Sequence, residues 1–228
     1  ADYPDVMFAC VDCDARPDEE TLSNLAGLTF REEEGSFLVG VVAAMFTETD
    51  RIGFIGGMDV PLIHRFEAGY IAGARHVNPA ISVTVVYAGS TPQAFADPAK
   101  GKELAMLQFG RGVDVIYHAS GNTGNGVIEA ARETNSFAIG VDSNQNYMAP
   151  GHVLTSMVKR VDNAVYRTIM SAVEGNFSGG IRVFGLAEDG VGYAVDRYNE
   201  ELVTQEMRAG VEEARAAIIA GEIDVPNE

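Results

Sequence analysis

Residues Arg51–Asn78, RIGFIGGMDVPLIHRFEAGYIAGARHVN, read as a buried strand that passes through a Gly-Gly-Met turn into an amphipathic helix. Ile52, Phe54 and Ile55 form a short apolar run. Gly56 and Gly57 permit a sharp turn, and Pro61 sits where a first helical turn tolerates a missing N–H. From Leu62 onward, Phe66, Tyr70, Ala74 and Val77 recur at helical spacing and give one apolar face. Such a unit belongs to an open α/β sheet, whose ligands bind outside the carboxyl ends of the strands. Gly56–Asp59 is therefore expected to face a site.

The same alternation extends in both directions. Val6–Val11 reads as a strand, and Gly35–Phe46 as an apolar helix introduced by Glu32–Glu34, acidic residues that suit a helix N-terminus. Downstream come a β-branched strand at Ile81–Tyr87, a helix at Ala99–Phe109, a strand at Val113–Tyr117, a glycine-rich loop, a helix at Gly126–Glu133 and a strand at Phe137–Val141. This rhythm predicts a parallel sheet with crossover helices. It then loosens into strands at Val153–Met157, Ile181–Phe184 and Tyr193–Val195, with helices at Asp162–Val173 and Glu200–Ala220.

Composition excludes several classes. The chain has 33 acidic against 16 basic residues, a net charge of −17, which argues against sequence-independent nucleic-acid binding, because that depends on cations that neutralise phosphates. Lysine occurs only at positions 100, 102 and 159. An acidic, lysine-poor surface stays solvated where salt screens its self-repulsion, so a halophilic source is expected; an ordinary acidic extracytoplasmic protein is the alternative. No apolar run is long enough to span a membrane, and the first residues lack the basic region of a signal peptide. Cys10 and Cys13 are the only cysteines, half the ligand set of a four-cysteine zinc site. Placed around Val11 in a strand, they are expected on opposite faces, in a structural or neutral role.

Four segments go beyond pattern. GFIGGM (53–58), RFEAGY (65–70), VDSNQ (141–145) and SMVKR (156–160) closely resemble the basic membrane protein family, lipoprotein receptors of ABC importers that are similar to purine nucleoside receptors. The resemblance implies an α/β fold of the type I periplasmic-binding class, with two lobes built on parallel sheets that close on a nucleoside and dock on an ABC permease. It also implies an extracytoplasmic location, with any lipid anchor outside this chain, and no cofactor. Members carry further βα units, with an Asp and a stacking aromatic, ahead of the strand that matches Val6–Val11. The first lobe is therefore expected to be incomplete here, as in a fragment or derivative. By the same resemblance the lobes divide as 1–48 (partial first), 49–150 (second), 151–182 (first) and 183–228 (second). The crossings then fall near Thr47–Arg51, Pro150–Leu154 and Ile181–Leu186.

Six residues are candidates for ligand contact. Asp142 ends an apolar strand and opens the polar turn Ser143–Asn146, so its carboxylate lies at the mouth of the sheet, where it can accept from vicinal ribose hydroxyls; an Asx turn or helix cap is the alternative. Lys159, in a chain that otherwise prefers arginine, marks a position that needs a slim donor, and the resemblance sets it against the ligand's sugar; the alternative is an exposed helix residue. Asp12 ends the first strand and, in a type I fold, faces the cleft from the first lobe unless it is a solvated turn residue. Met58 offers a polarisable contact for a planar ring, or a core side chain. In the loop Ser120–Gly126, Ser120 and Asn122 are candidates. Its glycines and the following helix N-terminus suit close approach to a ligand, but neither a P-loop nor G-x-G-x-x-G is present. Asn122 either reads a base edge or supplies a left-handed turn. Tyr117 and Phe66 are placed in the core ahead of base stacking.

No H-E-x-x-H, no G-x-S-x-G and no nucleophile paired with a base are present. Binding without bond-making is therefore the expected function, with a nucleoside ahead of another planar solute such as a flavin. The rival class is a nucleoside-cleaving enzyme using Asp142.

Overall fold

The computed structural model describes residues 3, 5–13 and 22–228. Its elements are β1 (Phe8–Val11), β2 (Leu25–Phe30), α1 (Glu32–Phe46), β3 (Arg51–Met58), α2 (Pro61–Val77), β4 (Ser82–Gly89), α3 (Pro98–Phe109), β5 (Val115–Ala119), α4 (Thr123–Thr134), β6 (Phe137–Gly140), β7 (Val153–Lys159), α5 (Val161–Val173), β8 (Gly180–Phe184), β9 (Val191–Tyr193) and α6 (Gln205–Ile219). They build two sheets, one of three strands in the order β1-β2-β8 and one of six in the order β4-β3-β5-β6-β7-β9. Every pairing is parallel except that of β7 with β9. The α/β class with parallel sheets expected from the alternation is the fold observed.

Strand β3 occupies the interior of the larger sheet, and Ile52 to Gly57 are buried, as a parallel strand covered on both faces requires. Gly56 and Gly57 lie within this strand and not in the expected turn. Their missing side chains make room for rings, since a Cβ would lie 2.6 Å from Tyr87 at Gly56 and 2.1 Å from Phe95 at Gly57. The turn is made by Asp59 and Val60, and Pro61 opens α2 as expected.

Helix α1 packs flat on α2. Cβ atoms at Gly69 and Gly73 would lie 2.1 Å and 2.0 Å from the carbonyl oxygens of Glu33 and Phe37, so only glycine lets the two backbones approach this closely. Phe66, Tyr70 and Tyr117 are buried in the core, with the rings of Tyr70 and Tyr117 5.1 Å apart. Phe66 and Tyr117, weighed above for base stacking, are thus packing residues.

Strand β2 has no counterpart in the sequence reading. It lies between β1 and β8, and it joins segments that are far apart in the chain. The sheet memberships also differ from the residue ranges expected for the lobes. Helix α1 packs against α2, β7 and α6, and β7 pairs with β6, so both belong with the six-stranded sheet. The chain passes between sheets at Arg31, at Arg160 and between Phe184 and Val191. These passages are bonded together: Arg31 N–H donates to the Phe184 carbonyl at 3.1 Å, and Arg160 N–H donates to that of Gly190 at 2.7 Å.

The cysteines depart from expectation as well. Strand β1 ends at Val11, and Asp12 turns the chain with a left-handed backbone (φ 55°), so strand alternation does not reach Cys13 and the two sulfurs join in a disulfide.

Candidate functional site

Strands β3, β5, β6 and β7 run parallel, so their carboxyl ends share one edge of the larger sheet. Met58 ends β3, Ser120 and Asn122 follow β5, Asp142 follows β6, and Lys159 ends β7. Asp12 follows β1 of the smaller sheet and meets this edge from the other side.

Lys159 is the centre of the arrangement. Its Nζ donates to both carboxylate oxygens of Asp12, at 2.6 Å and 2.7 Å, and lies 3.0 Å from Glu32 Oε1. It also sits 4.9 Å from the centroid of the Phe30 ring, within cation–π range. Asp142 joins through the backbone, its carbonyl accepting from the Lys159 N–H at 2.8 Å. Its own backbone is left-handed (φ 63°), as that of Asp12 is, a conformation that short polar side chains tolerate better than most.

Titration follows from this crowding. Burial pushes the Glu32 carboxyl above its ordinary range, an effect that Lys159 only partly offsets. Asp142 is accessible to solvent, yet the protein around it raises its carboxyl in the same way, with Lys159 again opposing. Burial disfavours the charge on Lys159, but Glu32 and Asp12 outweigh it and hold the amine above its usual value. One cation thus serves three carboxylates. Arg65 adds a second, more distant cation, 3.5 Å from Glu32 Oε2.

A cleft of about 440 Å³ opens beside the cluster, lined by Asp12, Phe30, Glu32, Glu33 and Arg65 among others. A larger groove of about 570 Å³ lies between α2, Tyr87 and the last residues of the chain. Two of its polar pairs are bonded to each other, Asp59 to His64 at 2.6 Å and Glu67 to Tyr87, and it lies away from the Lys159 cluster.

The structure brings Asp12, Asp142 and Lys159 together. Ser120 is fully buried and its hydroxyl has no partner among the described residues. Asn122 is exposed at the start of α4 without a capping bond, and its φ of −64° is right-handed, so the left-handed turn belongs to Gly121 (φ 55°) instead. Met58 is half-buried and pairs with Gly89. The glycine-rich loop is no cradle, because Gly124 and Gly126 lie within α4. There a Cβ would strike the His118 ring at 2.0 Å or the Pro98 carbonyl at 1.8 Å.

Glu32 and Phe30 are neighbours of Lys159 that the sequence reading missed. Glu32 stood in an acidic run whose spacing suits any helix N-terminus, and Phe30 ends the unrecognised strand β2. Gln145 and His118 were also passed over. Gln145 lies inside the quoted VDSNQ segment, the one signal that pointed near it.

Two largely parallel sheets linked by three crossings, with a charged cluster at the strand ends where the sheets meet, are the architecture of the type I periplasmic-binding class. A family model described as ABC transporter substrate-binding protein PnrA-like matches residues 1–228, and the chain belongs to that family. It is similar to "Basic membrane protein A1" of Borrelia garinii subsp. bavariensis, 36% identical over 227 residues that cover 98% of this chain and 65% of that protein. It is also similar to the "ABC transporter nucleoside-binding protein BmpA" of Lactococcus lactis subsp. cremoris, 38% identical over 222 residues, which cover 90% and 61% of the two chains. A solved solute-binding protein of an ABC transporter system from Aeropyrum pernix K1 superposes with a TM-score of 0.85 at 30% identity, over 100% of this chain and 73% of that one. The chain thus spans less than two thirds of the length of these two curated relatives. The family is one of substrate-binding proteins and not of enzymes, which sets aside the nucleoside-cleaving alternative. Among the described residues no helix is long and apolar enough to cross a membrane.

Proposed function

We propose that the chain binds a ribonucleoside outside the cytoplasm and delivers it to an ABC permease, with the two sheets as the cores of two lobes that close on the ligand. The observation that carries this reading is the Lys159–Asp12 pair, a donor at the end of β7 held at 2.6 Å by an acceptor at the end of β1. A cation flanked by carboxylates from both sheets matches vicinal hydroxyls, which donate to carboxylates and accept from an ammonium. A ligand seated there would exchange part of the Asp12 contact for its own hydroxyls, and its presence would couple the two sheets, the usual basis of closure in this class. Support for a nucleoside in particular comes from the name carried by the Lactococcus lactis relative. Met58, Ser120 and Asn122, along the same edge, are proposed to lie towards the base.

Titration calorimetry with adenosine, guanosine, inosine and uridine, each beside its 2′-deoxy counterpart, tests the proposal. Ribonucleosides should bind more tightly than deoxyribonucleosides, and Asp142→Asn should cost about 2 kcal/mol, because a charged acceptor is lost. Equal affinity for ribo and deoxy forms refutes the sugar assignment. Binding of riboflavin alone would move the ligand to another planar solute. Release of free base during incubation would refute a pure binding role.

A further inference from the structure

Asp142 offers its carboxylate from a left-handed backbone, which the loop Val141–Asn146 must hold in place. That loop is tied by the side chain of Gln145. Its Oε1 accepts from the Val141 N–H at 2.9 Å and lies 3.0 Å from His118 Nε2. The backbone N–H of Val141 only donates, so the amide oxygen faces it, and His118 Nε2 must then carry the proton. His118 is fully buried in β5, and its other nitrogen, Nδ1, has no partner among the described residues and rests against Gly124. Burial pushes the imidazole down to about 4, so it stays a neutral donor at physiological pH. On its other side, the Gln145 N–H donates to Ser156 Oγ of β7 at 3.0 Å, and that hydroxyl donates to Asn146 Oδ1 at 2.8 Å. The fit depends on Gly140, where a Cβ would lie 2.7 Å from both Gln145 Oε1 and Ser156 Oγ.

We propose that Gln145, oriented by His118, is a positioning residue for Asp142, clamping the loop so that the carboxylate stands ready beside Lys159. The inference rests on the proposed solute-binding role of Asp142. The clamp fixes the amide before Asp142, and the Lys159 N–H fixes the carbonyl of Asp142, so both flanks of the left-handed residue are held from the sheet. A carboxylate ordered before binding spares the ligand the entropy of ordering it.

Two substitutions separate this role from general damage. Gln145→Leu removes the acceptor, whereas Gln145→Glu keeps an oxygen for both donors, and no bond of the Gln145 amide nitrogen is lost among those described. Affinity for the four ribonucleosides is measured by titration calorimetry, and hydrogen exchange of the Val141 and Lys159 amides is measured without ligand. Gln145→Leu should weaken binding about tenfold or more and speed exchange at both amides to a similar degree, and Gln145→Glu should restore both to within about threefold of wild type. A Gln145→Leu protein that binds within about twofold of wild type and keeps both amides protected overturns the proposal, as does a Gln145→Glu protein as impaired as Gln145→Leu. Should the wild type bind none of these nucleosides, the solute reading falls while the exchange measurement still decides whether Gln145 holds the Asp142 loop.

Discussion

Removing the cation at Lys159 should expose how much the site costs the fold. The Lys159 side chain is 5% exposed and that of Glu32 is fully buried, so Lys159→Met leaves the Glu32 carboxylate without its nearest compensating charge. Breaking a buried pair from one side costs about 3–5 kcal/mol, and the partial exposure of Asp12 (32%) places the expectation at the lower end, about 3 kcal/mol at pH 7. For a chain of this length that corresponds to a fall in melting temperature of about 6–12 °C. The deficit should shrink on acidification. Glu32 already titrates above its ordinary value, and losing Lys159 raises it further. A carboxyl with a raised folded pKa favours the native state below its unfolded value and disfavours it as pH rises through the folded one. Urea unfolding of wild type, Lys159→Met, Glu32→Gln and the double variant, at pH 7 and near pH 4.5, supplies the cycle. The Lys159→Met deficit should be largest at pH 7 and mostly relieved by adding Glu32→Gln. A Lys159→Met protein within about 0.5 kcal/mol of wild type at both pH values would refute the reasoning, because the ion pair would then contribute nothing that the fold needs.

Other measurements bear on the packing and the surface. Burial lowers His118 to about 4 from 6.5, so the neutral ring contributes about 3 kcal/mol of stability that is present above pH 6.5 and lost as pH falls towards 4; His118→Gln should flatten that part of the profile, and an unchanged slope contradicts it. Gly73→Ala places a methyl 2.0 Å from the Phe37 carbonyl and should destabilise by about 2 kcal/mol or more through separation of α1 and α2, as read by chemical denaturation. With a net charge of −17, unfolding midpoints should rise from low to molar potassium chloride, and a flat response removes the halophilic reading.

The open face of the smaller sheet also has a physical signature. Phe8 and Val11 of β1, Val183 of β8, and Tyr166, Ile169 and Val173 of α5 are exposed apolar residues. The smaller sheet has three strands against six in the larger.

The sequence by itself determined the class of fold, because parallel strands buried on both faces and amphipathic crossover helices leave local signatures that need no partner to be read. Ile52–Ile55, the helical spacing from Leu62 to Val77, and Pro61 at the start of α2 are all of this kind. It also singled out Asp142 and Lys159, one as a carboxylate at a strand end and the other as a rare lysine. Sheet membership was beyond it, since alternation says that a strand follows a helix but not which sheet it joins. The assignments of α1, β2 and β7 were decided by packing and pairing across the chain. Glycine roles divided likewise: Gly56, Gly57, Gly124 and Gly126 read as turn residues locally, and only the rings and carbonyls packed against them show that they make room. The site itself is a tertiary fact. Asp12 and Lys159 stand 147 residues apart and meet at 2.6 Å, and Glu32 is buried at a helix N-terminus that the sequence marked only by its acidic run. Local periodicity constrains neighbours within a turn or a strand, whereas the balance of charge in a cleft depends on which distant ends the fold brings into contact.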